Sequence, residues 1–284
     1  MATHELPLEA SVLHGHFSRE LEPVLTVEPG DSVRFSTPDA GWYVTPEERF
    51  VPRDDEEYRG HALAGPIEVR GARAGQTLAV TIDEVNPAAW GYTVAHEERI
   101  RWELDGAVGR ALGRTVELAP FLGVLGMPPD RPGRHSTIPP RPSGGNIDCK
   151  EIVAGATLFL PIPVDGALFS AGDGHARQGD GEVSGTAIET PVEAQVTLDL
   201  RDDLMLEWPA ARIQGAWLTF GFDEHLGLAA KIAADGMLSW MVREHGLTET
   251  EALAFASVVV DLRVTQVVNG LVGVHAVLHD DAWS

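Results

Sequence analysis

The residues best suited to chemistry lie in the middle of the chain. Ser143-Gly144-Gly145-Asn146-Ile147-Asp148-Cys149-Lys150-Glu151 comes first, the glycine-studded stretch from Ser170 to Glu182 follows, and Gly185-Thr186-Ala187-Ile188-Glu189 ends the cluster. Asp173 and His175 stand two apart, so an extended backbone aims both side chains at one point. A histidine nitrogen with carboxylate oxygens is a ligand set for zinc or another divalent cation. An acidic turn with a solvent-facing histidine would read the same way. Gln178, Glu182 and Glu189 add hydrogen-bonding groups at the ends of predicted strands, which is the pattern of a site. Glu182 and Glu189 are general-base candidates, because desolvation would raise their pKa values. The glycines at 172, 174, 179 and 181 offer sharp turns and close backbone approach. On a strand, Asn146, Asp148 and Lys150 share one face, with Ile147, Cys149 and Glu151 on the other. Lys150 is therefore poorly placed to activate Cys149 as a nucleophile. His16, Asp39, His61 and Trp90-Gly91-Tyr92, taken alone, read as turn, strand or packing residues. A glycine-rich phosphate loop, a Gly-x-Ser-x-Gly elbow and a His-Glu-x-x-His pair are all missing from the sequence.

These residues need a scaffold, and the spacing of apolar residues predicts a mainly β one. Strands are expected at 24–27, 32–36, 67–69, 77–85, 100–103, 145–152, 157–161, 166–171, 185–188 and 194–200, punctuated by Gly and Pro. Within 77–85, Leu78, Val80 and Ile82 share one face, opposite Thr81 and Asp83. That alternation argues for antiparallel sheets with one wet face. The stretch from Met127 to Gly145 reads as a long surface loop. Near Phe222 the pattern changes. Asp223 can cap a helix bearing Leu226, Ala229, Ala230, Ala233, Met237, Trp240 and Met241 on one stripe, ended by His245-Gly246. Thr248 and Glu251 have capping-box spacing and open a second helix to Ser257. A strand pair, 258–268 and 272–278, closes the chain. Residues 1–221 are thus expected to form a β-rich catalytic core, and residues 222–284 an α+β part packed on it.

The chain has 284 residues, 44% hydrophobic and 23% charged, which excludes collagen, coiled coil and wholesale disorder. Its net charge is −22, with 43 acidic against 21 basic residues. No basic cluster offers a phosphate footprint, so neither a nucleic acid nor an anionic membrane is expected as a partner. The acidity suits solubility or salt adaptation, or attraction of a cationic substrate. No apolar run approaches the ~20 residues of a spanning helix, and the N-terminus lacks the pattern of a signal peptide. With a single cysteine, the expectation is a cytoplasmic enzyme or binding protein.

Several strings resemble the acetamidase/formamidase family. They are 16–20 with 22–27, 29–33, Gly65-Pro66-Ile67 after His61, 90–93, 143–152 with 158–166, 172–189, and 257–263 with 266–269. The most specific are Gly-Gly-Asn-Ile-Asp and Asp-x-His-x-x-Gln-Gly-Asp-Gly-Glu. The resemblance implies a jelly-roll-like β-sandwich core with an accessory β piece and a C-terminal α+β appendage. It also implies hydrolysis of short linear amides to carboxylate and ammonia, a bound divalent metal (zinc, or else calcium), and homodimers or larger homo-oligomers. By motif match, Asp148, Asp173, His175 and His61 would serve the metal. Asn146 and Gln178 would bind substrate, and Glu182 and Glu189 would act in catalysis. Ala62 follows His61 where the family usually has Pro. Residues 94–106 replace the glycine-rich segment of the longer formamidase branch, which favours the acetamidase-like branch. The competing readings are a non-catalytic β-sandwich that binds a small polar ligand or sugar, and an amidase that depends on Cys149.

Overall fold

The computed structural model describes residues 1–53 and 55–283. Its architecture grows from the period-two strands. Leu78, Val80 and Ile82 are fully buried on one face of Thr77–Pro87, as the alternation predicts. That strand lies inside a nine-stranded sheet, antiparallel to Val192–Arg201 on one side and to Thr157–Pro161 on the other. Beyond Val192–Arg201 come Asp31–Thr37 and, parallel to it at the edge, Thr3–Leu6. Beyond Thr157–Pro161 come Ala210–Ile213, Ala216–Asp223, Leu271–His279 and Val260–Asn269. The expected C-terminal hairpin therefore extends the large sheet.

A six-stranded sheet faces it. Gly144–Asn146, Phe121–Gly126, Phe169–His175, Leu63–Val69 and Leu13–His14 run in that order, and Leu25–Val27 adds in parallel to Leu63–Val69. Val33, Phe35, Leu158, Leu160, Val196 and Leu198 from the large sheet join one core with Ile67, Val69, Leu122, Leu125 and Phe169 from the smaller sheet. Each such side chain contributes about 1.5–3 kcal/mol by leaving water, so the sandwich interior dominates the fold's stability. A separate four-stranded meander, Trp90–Ala95, Glu98–Asp105, Val108–Ala111 and Arg114–Glu117, supplies the accessory β piece. The chain is mainly β with C-terminal helices, as expected.

The first helix, Leu226–His245, lays Ala229, Ala233, Met237 and Met241 against Ala79, Phe159, Trp217 and Val274 on the large sheet's outer face. Its N-cap is His225, without a side-chain cap. Asp223 instead accepts a hydrogen bond from the His225 N–H at 2.8 Å. Gly246 ends it in the left-handed conformation, φ 66°. The second helix, Glu249–Val259, opens on the Thr248/Glu251 capping box that the spacing predicts. Among the described residues, no helix is long and apolar enough to cross a membrane.

Three strand expectations shift, each for a backbone reason. The 145–152 strand covers only Gly144–Asn146, because Asp148 turns left-handed at φ 50°. The 166–171 strand begins at Phe169, since Gly166, Ala167 and Leu168 all hold positive φ, and it then runs on to His175. Residues 185–188 form no strand, although Glu189 makes isolated bridges to both Tyr92 and His175. Most of the 127–145 stretch is irregular, but Thr137 and Ser143 are buried, and His135 bridges to Phe17.

Candidate active site

The site forms where Phe169–His175 pairs with Phe121–Gly126. Asp173 does not adopt the extended backbone expected of it; its φ is 61°. Glycine on each side makes this possible. A Cβ on Gly172 would lie 2.0 Å from the Ala62 carbonyl oxygen, and one on Gly174 would lie 2.2 Å from Val192 Cγ1. The two side chains still converge, with His175 Nε2 3.5 Å from Asp173 Oδ1 and 3.4 Å from Glu189 Oε1. Asp148 and Glu182 gather beside the same ring, and the Asp148 Oδ1–His175 Nδ1 distance is 3.8 Å. Three of these carboxylates, Asp148, Asp173 and Glu182 (φ 45°), sit on left-handed backbones. Each such residue costs on the order of 1–3 kcal/mol, and such strain collects at functional sites.

Gln178 holds the histidine. Its Oε1 is 3.1 Å from His175 Nδ1, and its Nε2 donates to the Asp148 carbonyl at 2.7 Å. With Nδ1 so engaged, Nε2 faces Asp173 and Glu189, and the Phe121 ring braces the imidazole edge-to-face at 4.9 Å. Gln178 therefore supports the ligand group and lies outside the cavity wall. His61 and Asn146 do line the cavity. Thr137 Oγ1 lies 2.8 Å from His61 Nδ1, and His61 stands outside the close Asp173–His175–Glu189 and Asp148–His175–Glu182 groups.

Sequence reasoning gave no role to several residues that build the site. The C-terminal hairpin brings Asn269 in, where its Nδ2 donates to Asp148 Oδ2 at 2.5 Å. Gln266 fastens that turn by accepting from the Val268 and Asn269 N–H groups, and Gly181 pairs alongside it. Gly123 lies under the acids, where a Cβ would come within 2.5 Å of both Asp148 Oδ1 and Asp173 Oδ2. Asp39, read as a turn residue, is fully buried near Tyr92 and Glu189, and burial pushes its carboxyl up to about 7. Tyr92 and Arg99 line the wall together, the guanidinium 4.0 Å over the Tyr92 ring. The Trp90-Gly91-Tyr92 string and the Gln-x-x-Asn spacing at 266–269 were visible in the sequence, but nothing there tied Tyr92 to Glu189 or Asn269 to Asp148, both distant along the chain.

The electrostatics are dominated by burial. Asp148 is pushed up to about 8 by desolvation, and Glu182 to about 10 by desolvation and then by Asp148. Burial opposes charge on Asp173 too, but His61 and His175 outweigh it and hold that carboxyl down at about 2. Burial likewise disfavours the His175 imidazolium, yet Glu189 and Asp173 raise it well above the usual histidine range. Buried Asn146 Oδ1, Asp148 Oδ1, Asp173 Oδ1 and Glu189 Oε2 have no hydrogen-bond partner. Four carboxylates around one imidazole, with orphaned oxygens, call for a compensating cation. The donor set fits one: a tetrahedral ion with bonds of about 2.0–2.2 Å places its ligands about 3.3–3.6 Å apart. The 3.4 and 3.5 Å separations around His175 Nε2 match that spacing.

Cys149 is not part of this cavity. It is 1% exposed, packs with Ile147 in the sandwich core, and donates to Glu151 Oε2 at 3.3 Å. Burial pushes its thiol well above the usual range, the opposite of an activated nucleophile.

Residues 2–104 and 130–219 match the model of the acetamidase/formamidase family. The chain belongs to that family. An acetamidase from Bacillus halodurans has the same fold, with a TM-score of 0.88 and 27% identity over 97% of both chains. The acetamidase of Yersinia enterocolitica is alike, with a TM-score of 0.87 and 26% identity over 99% of this chain and 93% of that one. The acetamidase of Mycolicibacterium smegmatis is 23% identical over 250 residues, 60% of this chain and 61% of its own length. The chain thus spans about three fifths of that longer relative.

Proposed function

We propose that this chain hydrolyses short linear amides to a carboxylate and ammonia at the Asp173–His175–Glu189 cavity, with a divalent metal. The observation that carries the reading is the set of buried, unpartnered oxygens converging on one imidazole in a member of this family. Cavity size points to small substrates. At about 250 Å³ it falls below the ~300–1,000 Å³ of common ligand pockets. Asp173 Oδ1, His175 Nε2 and Glu189 Oε1 would hold the metal, zinc by its N/O donor set, with Asp148 and His61 as further ligands. When bound, such an ion polarises a carbonyl and brings the pKa of a coordinated water toward ~7.

The chain's own groups do the rest. Asn146 presents an unpartnered amide oxygen to the cavity and orients the substrate's N–H. With a dication in the cavity to offset the burial that otherwise keeps it protonated, Glu182 would take the proton of the attacking water at its carboxylate and return it to the departing nitrogen, so that water and amide leave as carboxylic acid and ammonia. Gln178 and Asn269 position His175 and Asp148 for this step. We further assign a cytoplasmic location and a homo-oligomer. The latter is supported by exposed Leu253, Phe255, Val258 and Leu262 along the second helix and the edge strand that follows it.

The test is ammonia release across formamide, acetamide, propionamide and larger amides. Activity confined to the short members is expected. Turnover that rises with acyl size, or none with any amide, would remove this reading.

A further inference from the structure

Immediately after Asp148 the chain turns away from the cavity, and a second set of ligand-type atoms meets in the interior. Cys149 Sγ lies 3.3 Å from Glu151 Oε2, and His275 Nε2 lies 3.7 Å from the same oxygen. All three groups offer ligand atoms within 4.8 Å of one another. We propose that Cys149, Glu151 and His275 form a second metal site, separate from the amide cavity and suited to a thiophilic divalent cation such as zinc.

Four observations carry this. First, a tetrahedral ion with bonds of about 2.0 Å to N or O and about 2.3 Å to S spaces its ligands about 3.3–3.7 Å apart. Within that range an N–O pair takes about 3.3 Å and an S–O pair about 3.5 Å, so the 3.7 Å between His275 Nε2 and Glu151 Oε2 and the 3.3 Å between Cys149 Sγ and the same oxygen each lie within about 0.4 Å of the coordinating value. Second, His275 Nε2 is buried in a residue of 0% exposure and has no hydrogen-bond partner. Third, Thr265 Oγ1 engages the other ring nitrogen, Nδ1, at 2.8 Å, which fixes the ring with Nε2 toward Glu151, as a supporting residue does for a metal-bound histidine. Fourth, Glu151 divides its two oxygens. Lys150 and Arg263 take Oε1, the latter at 2.9 Å, leaving Oε2 facing the thiol and the imidazole. Asp180 balances both cations, 3.0 Å from Lys150 Nζ and 2.7 Å from the Arg263 guanidinium. With the thiol ionised, three negative groups face two positive ones, which leaves room for a dication. Binding releases the thiol proton to solvent, so occupancy of this site falls as the solution is acidified.

The site joins the strand-ending turn at 149–151 to the last strand, Leu271–His279, so its ion would staple the C-terminal hairpin to the core. A thiolate donor sets it apart from the cavity, whose donors are the His61 and His175 imidazoles among carboxylates.

The decisive reagent is cobalt(II), loaded into the chelator-stripped full chain without added thiols. Cys149 is the only cysteine, so a thiolate-to-cobalt charge-transfer band in the near ultraviolet can come from no other residue. The proposal expects that band in the wild type. It should vanish in Cys149→Ser and be lost or strongly reduced in His275→Gln, with bound metal falling by one equivalent in each. Asp173→Asn, which removes a ligand of the cavity, should keep the band and lose a different equivalent. Failure of the amidase reading therefore leaves this test intact. A wild-type protein that binds cobalt without a thiolate band overturns the second site, whether or not the variants fold. So does a Cys149→Ser protein that keeps every equivalent.

Discussion

Replacing Gly123 with alanine tests whether the acids need the space beneath them. Gly123 is buried in the Phe121–Gly126 strand, and its φ is not positive, so alanine meets no backbone obstacle. The new methyl would lie 2.5 Å from both Asp148 Oδ1 and Asp173 Oδ2, and 3.0 Å from His175 Cε1. Ordinary contact begins at 3.4 Å, so each carboxylate oxygen must retreat by about 0.9 Å. A displacement of about 1 Å in a catalytic constellation costs roughly 10²-fold in rate. The stability cost should be smaller, about 1–3 kcal/mol for overpacking, offset by the lower unfolded-chain entropy of alanine. The melting temperature should fall by only a few degrees. The assay pairs kcat for acetamide with bound metal by elemental analysis and a thermal melt. Loss of turnover of about 10²-fold, with reduced metal in a folded protein, is expected. Wild-type turnover and metal content in Gly123→Ala would refute the placement of Asp148 and Asp173 around a shared ion.

Other substitutions separate the acids by role. Glu182→Gln should keep the cavity metal and lower kcat by roughly 10²–10⁴-fold, whereas Glu189→Gln should lower metal content and activity together; the reverse pattern would exchange the two roles. Asn269→Ala frees Asp148 Oδ2 and should cost about 10–100-fold in metal affinity or activity, read by metal titration. A variant with unchanged affinity and rate would remove Asn269 from the site. Acid stability should report on His14, which is buried between the His16 carbonyl and Ser170 and is lowered to about 4, chiefly by desolvation. The unfolded chain binds this proton near 6.5 and the fold only near 4. Stability from His14 is thus complete above pH 6.5 and is lost as pH falls toward 4, by about 3 kcal/mol at most. Urea midpoints between pH 4 and 7 should fall more steeply for the wild type than for His14→Gln, and parallel slopes would contradict this.

What could be read in the sequence was what is local. Period two in 77–85, the Thr248/Glu251 capping box and Gly246 each act within a few residues, and each appears where the pattern puts it. The Asp173–His175 convergence was also legible, although for a different reason. The sequence argues it from an extended strand, while the chain achieves it with a left-handed Asp173 between two glycines whose neighbours leave no room for a Cβ. The roles of Asn269 and Gly123 were not legible, for a topological reason. Their contacts with Asp148 depend on how the last hairpin and the Phe121–Gly126 strand fold over it, and no local pattern encodes that. Gln178 shows the intermediate case. Its motif marked it as part of the site, but only the hydrogen bonds to His175 and the Asp148 carbonyl distinguish a positioning residue from one that touches substrate.

Hydrolysis of short amides through a divalent ion held at the Asp173–His175–Glu189 cavity is the reaction proposed for this chain. The most direct measurement is ammonia release from acetamide before chelation, after chelation and after zinc is restored, with the cavity's metal content followed in parallel through Asp173→Asn. Turnover should fall with the metal, return with it, and be absent in Asp173→Asn. Chelated protein that holds no metal yet hydrolyses acetamide at the full rate would contradict the claim.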